Sequence, residues 1–331
     1  MTAERSFIYA KCCGIIARSF VEGRISRLIE LNSIKEFYSM VFGDSANTDL
    51  ISNSMERAII NKTAGELLLI LKSFKKTPEF LVRLVKSYES ADLKNAITAI
   101  KTKKPAPDIT PLGRFTGIKW QAYPDIKKML QKTEYSFLLN LNIEGTEDSE
   151  IQAAIDKNYY SILLSELKRL NPNEIPCFSK LIAEEVSLIN CSRALRLRVY
   201  YNTNKAAIGA WLIDEKTCKN GDSLARDAKK SLEFDVSHHA DWVLWKRFRF
   251  LNPQTQNSYW KCDPCFFQHS ASIYLYNIAR KSFRRRPFCI DTAACFIRLK
   301  QFEEQLLCGV AEGLLLGVSP KEVLNLMGTA L

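Results

Sequence analysis

An all-α fold is predicted from three observations. Apolar residues recur at helical spacing in run after run. No segment sustains an apolar/polar alternation over six or more residues. The Pro, Gly, Asn and Asp residues that interrupt such patterns gather in four separated stretches. The best strand candidate, "RALRLRVYY" at Arg193–Tyr201, only continues a longer helical pattern.

Taken in order, the first helical segment is "FIYAKCCGIIARSFVEGRISRLIELNSIKEFYSMVFG". Phe7, Ile8, Ile15, Ile16, Phe20, Ile25, Leu28, Ile29 and Leu31 mark its apolar face. "GELLLILKSF" from Gly65 and "EFLVRLVKSY" from Glu79 continue in the same manner. Breaks follow at Lys101–Pro111, Asn171–Pro176, Asp214–Ser223 and Asn252–Pro264, with helical patterns between and after them.

The last pattern, Arg298–Gly328, is the most apolar. Between Leu306 and Val318 only Glu312 is charged, yet thirteen residues rise roughly 20 Å as a helix, short of the roughly 30 Å of a bilayer core. It reads as a buried helix. Gly317 suits the position just past its end. "SPKE" then starts a short terminal helix, with Ser319 as N-cap, Pro320 in the first turn, Glu322 closing a capping box, and Val318 and Val323 as a hydrophobic staple.

A weak internal repeat accompanies this order. Aligning "ERAIINKTAGELLLIL" with "QAAIDKNYYSILLSEL" sets Ala58 on Ala154, Ile59 on Ile155 and Leu67 on Leu163. A third copy puts Ile273 and Phe302 opposite Ile59 and Tyr88. The division this predicts is three helical modules, 1–104, 105–213 and 214–331, each an entry segment plus a helical hairpin.

The 331 residues are 47% hydrophobic and 25% charged, which fits a globular chain with a sizeable core and not a disordered one. No apolar run reaches about 18 residues, and "MTAERSFIYAKCC" lacks the basic-then-apolar plan of a signal peptide, so a cytoplasmic location is expected. Ten cysteines in that setting read as reduced thiols. The net charge of +11 points to an acidic partner: nucleic acid, anionic lipid or an acidic protein face.

Catalytic chemistry finds little to build on. "CDPC" (Cys262, Cys265) with His269 is the best metal candidate, but a fourth ligand is not evident locally. "SHHAD" could bring His238 and Asp241 onto one helical face, with no second cluster to complete a site. Neither GxxxxGK[ST] nor GxGxxG occurs. No catalytic, cofactor or metal residue is therefore assigned. The adjacent carboxylates Glu184/Glu185 and Glu303/Glu304 point about 100° apart on a helix and do not converge on one substrate; Glu185 and Glu303 are expected to bind buried arginines or helix ends across the repeat interface. The basic runs "RKSFRRRPF" (Arg280–Phe288) and "WVLWKRFRF" (Trp242–Phe250) suit a solvated helix end, docking to an acidic surface, or nucleic acid; in the second run Lys246, Arg247 and Arg249 would snorkel outward from a Phe248/Phe250 stripe.

Several segments together resemble a known family. "ITPLGRFTGIKWQAYPDIKKMLQKTEYSFLL" is similar to the middle segment of the C/d subunit family of V-type and archaeal A-type rotary ATPases. "IQAAIDKNYYSILLSEL" resembles its "ALDxxYY" helix through Ala154, Ile155, Asp156, Tyr159 and Tyr160. "EEVSLINCSRALRLR" resembles its "ExDxxNxxxxLR" helix through Glu185, Asn190, Leu195 and Arg196, with Val186 and Leu188 near the usual aspartate. The closing segment matches through Glu304, Leu306, Leu307, Gly313, Gly317 and Glu322, without the usual polar residue after the glutamate.

The resemblance implies three similar helical domains arranged as a pseudo-threefold funnel. It implies a non-catalytic socket that couples the central shaft subunits to the membrane proteolipid ring during proton or sodium transport, peripheral on the cytoplasmic face. Arg284, Arg285 and Arg286 are then candidate partner or membrane-surface contacts, and Glu185, Arg196, Glu303 and Glu304 candidate inter-domain ion pairs. The alternative from charge alone is a basic helical nucleic-acid-binding protein.

Overall fold

The structure, a computed structural model, describes residues 2–43, 55–170, 175–215, 222–254 and 259–327. The predicted breaks at Asn171–Pro176, Asp214–Ser223 and Asn252–Pro264 lie partly outside them. Among the described residues there are thirteen α-helices and no β-strand, as the periodicity predicts. They are α1 Thr2–Ile16, α2 Ser26–Ile29, α3 Ile34–Phe42, α4 Met55–Leu71, α5 Glu79–Lys101, α6 Ile126–Leu130, α7 Asp148–Arg169, α8 Pro176–Val199, α9 Lys205–Trp211, α10 Arg226–Ser231, α11 Pro264–Arg285, α12 Ile290–Leu315 and α13 Pro320–Leu326. "RALRLRVYY" is the end of α8.

Local signals set many of the boundaries. Ser33, Asp125, Asn204 and Ser319 cap α3, α6, α9 and α13, each side chain accepting a backbone N–H three residues on. Proline opens α8, α11 and α13, where its missing N–H costs no helical bond. The predicted capping box of Ser319 and Glu322 is complete. Before it, α12 ends in a Schellman turn: Val318 N–H reaches Gly313 O (2.8 Å) and Gly317 N–H reaches Leu314 O (3.3 Å), with Gly317 at φ +75°. The same motif ends α5 without a glycine, with Lys103 at φ +53°.

Chain contacts gather into two compact units. The first comprises Met1–Thr77, Glu174–Phe178 and His269–Leu331. Its central helix is α12, packed against α4, α1, α3 and α13. Leu28, Phe37, Ile59, Leu306, Val310 and Leu324 belong to one buried cluster there. A side chain on Gly313 would run into Val323 of α13, so the short helix seats directly on the α12 backbone. The start of α8 is held here too: buried Asp291 accepts from Cys177 N–H and Phe178 N–H, both at 3.1 Å. Burial raises the Asp291 pKa against those bonds.

The second unit comprises Pro78–Asn173 and Ser179–Gln268. Here α5 lies along α7, and the segment between them folds over the pair in short 3-10 turns. Leu93, Ile97, Ile118, Leu130, Tyr135 and Ile155 form its core. Two acidic side chains of α5 pin that segment. Glu89, 1% exposed, accepts from Gly117 N–H (2.5 Å), Ile118 N–H (3.0 Å) and Thr116 Oγ1 (2.8 Å) with one carboxylate oxygen, while Asp92 accepts from Thr110 N–H at 2.7 Å.

Candidate functional site

In the first unit the closing segment places Lys300 and Glu303 one turn apart on α12, each 1% exposed. Neither charge is tolerable alone at that depth. Lys300 Nζ pairs with Glu303, lies 2.5 Å from Glu66 on α4, and donates to Ser19 Oγ at 2.9 Å. Glu303 Oε1 accepts the Phe20 N–H at 2.6 Å. Lys62, one turn before Glu66, adds a second ammonium at 3.1 Å. Burial pushes the Glu66 carboxyl up, but Lys300 and Lys62 outweigh it and hold the pKa below the ordinary value. The cluster joins α12, α4 and the turn after α1. Glu304 sits half-buried on the adjoining face of α12.

In the second unit the residues of the two central motifs converge. Asp156 on α7 bridges Lys94 on α5 (2.5 Å) and Arg193 on α8 (2.6 Å). Tyr160 Oη donates to Glu185 Oε1 at 2.9 Å, a second tie between α7 and α8. Asn190, fully buried, works like a strand partner: its Oδ1 accepts Ile213 N–H (2.8 Å), and its Nδ2 donates to Ile213 O (2.9 Å) and Leu224 O (3.2 Å). Arg196 is exposed and reaches Gln268 Oε1 at 3.5 Å.

Arg247 corrects the sequence reading. Instead of pointing outward it is 4% exposed, bound to Glu184 and Asp227 at 2.6 Å each and to Ser187 Oγ at 3.0 Å. The reason is local: the run lies in 3-10 turns, which lack the helical period assumed for it, so Trp242, Trp245, Arg247 and Phe250 all face inward. Lys246 is exposed as expected.

The remaining candidates stay apart. Cys262 is buried, with a thiol pKa pushed up to about 12 by burial, whereas Cys265 is exposed and accepts from Tyr200 Oη at 3.4 Å. Among the described residues no group of three or more His, Cys, Asp or Glu side chains gathers that could hold a metal ion. His238 pairs with Asp241 at 2.7 Å on the surface. Arg284 and Arg285 are exposed at the end of α11, and Arg286 is half-buried beyond it. Among the described residues no helix is long and apolar enough to cross a membrane.

What these charged groups do is hold long helices together. Sequence reading singled out Glu303 and Glu185 but missed Lys300, Glu66, Lys94 and Arg193, each of which has a partner on another helix. A lysine inside an otherwise apolar face, as at Lys300, was the available signal.

Comparison with known proteins follows the same outline. A family model described as ATP synthase (C/AC39) subunit matches residues 9–326. An uncharacterized protein of Treponema pallidum (strain Nichols) is 24% identical over 330 residues, covering 94% of each chain.

Proposed function

This chain belongs to the ATP synthase (C/AC39) subunit family, and on that premise we propose that it is a non-catalytic central-stalk subunit of a V-type or A-type rotary ATPase. It acts as a socket that couples the rotating shaft subunits to the membrane proteolipid ring during proton or sodium transport, and it sits peripherally on the cytoplasmic face. Three helical domains, 1–104, 105–213 and 214–331, would surround the shaft as a funnel. The observation that carries this reading is the family match over nearly the whole chain.

The chemistry of the charged residues supports it. A coupling subunit must resist twisting, and here the family-like residues Asp156, Tyr160 and Glu185 are used to tie helix to helix. Arg196, Glu303 and Glu304 serve at the seams between these domains, Glu185 ties α7 to α8 within the middle one, and Arg284, Arg285 and Arg286 meet a partner or the membrane surface. The test is gentle solubilisation of membranes carrying a tagged chain, purification at low salt and identification of the companions. Recovery with a nucleotide-binding head, a coiled-coil shaft protein and a small hairpin membrane protein is expected. Recovery alone from the soluble fraction, or with nucleic acid, overturns the reading.

A further inference from the structure

The turn between α11 and α12 has features that folding of the first unit does not require. Residues 280–290, "RKSFRRRPFCI", carry five basic side chains and no acidic one. Basic residues in the last turn of a helix offset its dipole, but one or two suffice. The acidic side chain that follows, Asp291, is fully buried and accepts from the first N–H groups of α8.

Phe288 stands at the tip of this turn with 45% of its surface exposed. Its backbone is left-handed, at φ +69°, a conformation that disfavours bulky side chains and suits glycine or asparagine. The ring of Tyr9 meets Phe288 edge-on at 5.3 Å and Phe283 at 6.0 Å, which braces the base of the turn while nearly half of Phe288 stays open to solvent. A part-exposed ring in a strained position, three and four residues after the exposed Arg285 and Arg284, combines the two elements that hold a protein at a lipid interface: an aromatic group at headgroup depth and cations for anionic headgroups.

We propose that the α11–α12 turn docks on an anionic phospholipid surface, with Arg284 and Arg285 on the headgroup phosphates and Phe288 inserted among them. The occupant is a lipid surface and not nucleic acid because the turn offers one ring and a compact cluster of charge. Single strands are bound along a groove by successive stacked bases. The inference rests on the peripheral membrane placement proposed above and supplies its chemistry.

The test is sedimentation of the purified full chain with vesicles of phosphatidylcholine alone, and of phosphatidylcholine mixed with phosphatidylglycerol, at low and high salt. Binding to the mixed vesicles only, released by salt, is expected. Arg284→Gln with Arg285→Gln should weaken it by about thirtyfold, the weight of two basic residues near such a surface. Phe288→Asn should weaken it several-fold while relieving the backbone, so its melting temperature does not fall.

Equal binding to neutral vesicles, wild-type affinity in either variant, or tighter binding to a single-stranded oligonucleotide overturns the proposal. Vesicle binding uses the chain alone. Its failure with intact co-purification therefore rejects the lipid contact only, and the reverse result rejects the coupling role only.

Discussion

The Lys300 cluster of the first unit and the Asp156 bridge of the second use the same chemistry in different solvent. Each joins helices through one residue shared between two partners of opposite charge. The side chains of Lys300 and Glu303 are 1% exposed, whereas Lys94, Asp156 and Arg193 are 24%, 25% and 18% exposed. Water reaches the second site, screens it, and can re-solvate whatever a substitution leaves behind. In the first, Lys300 and Glu303 depend wholly on their partners, while Glu66, 23% exposed, keeps some contact with water. Buried pairs make removal of one member costly; half-exposed pairs mainly fix geometry.

The largest expected effect breaks the buried side of that contrast. Lys300→Met keeps the bulk but leaves Glu303 buried without its ammonium and Glu66 with Lys62 alone, and should destabilise by about 3–5 kcal/mol. Chemical denaturation followed by helicity measures it. Tryptophan fluorescence is the control, since all five tryptophans lie in the second unit. Adding Glu66→Gln and Glu303→Gln should recover part of the loss. Gly313→Ala asks whether steric fit or charge dominates around α12: overpacking against Val323 should cost about 1–3 kcal/mol, less than the lysine.

The next effect depends on pH. Because the folded Glu66 pKa is depressed, its contribution is fully present above the unfolded glutamate value of about 4.3 and is lost as pH falls through the folded value. Acid titration of wild type against Glu66→Gln should therefore show the wild type losing stability more steeply below about pH 4.3. The smallest effect is expected at the open site: Asp156→Asn should cost about 1 kcal/mol or less, and the difference should shrink in high salt. A cost there equal to that of Lys300→Met would erase the contrast.

The sequence revealed what is local. Ser319, Glu322 and Gly317 are within a few residues of their partners, so the end of α12 and the start of α13 could be read residue by residue. The long helices announced themselves by period. Two things were hidden. One is the conformation of segments built from 3-10 turns, where Arg247 was read as outward and is buried between two carboxylates. The other is pairing across distance: Glu66, Ser19 and Phe20 meet Lys300 and Glu303 from far earlier in the chain, and nothing near Lys300 names them. Glu303 was expected to find an arginine or a helix end. It found a lysine one turn away and a backbone N–H in the turn after α1.

The layout of the first unit also fixes an order of events on the ribosome. Phe20, Ile25, Leu28 and Phe37 bury themselves against Leu306, Leu307, Val310 and Leu324, which are synthesised far later. Residues 78–173 and 179–268 of the second unit are all made before that closing segment. Domains fold as units during synthesis once their residues have emerged. Helices α2 and α3 must therefore wait, with their apolar faces uncovered, until α12 and α13 arrive.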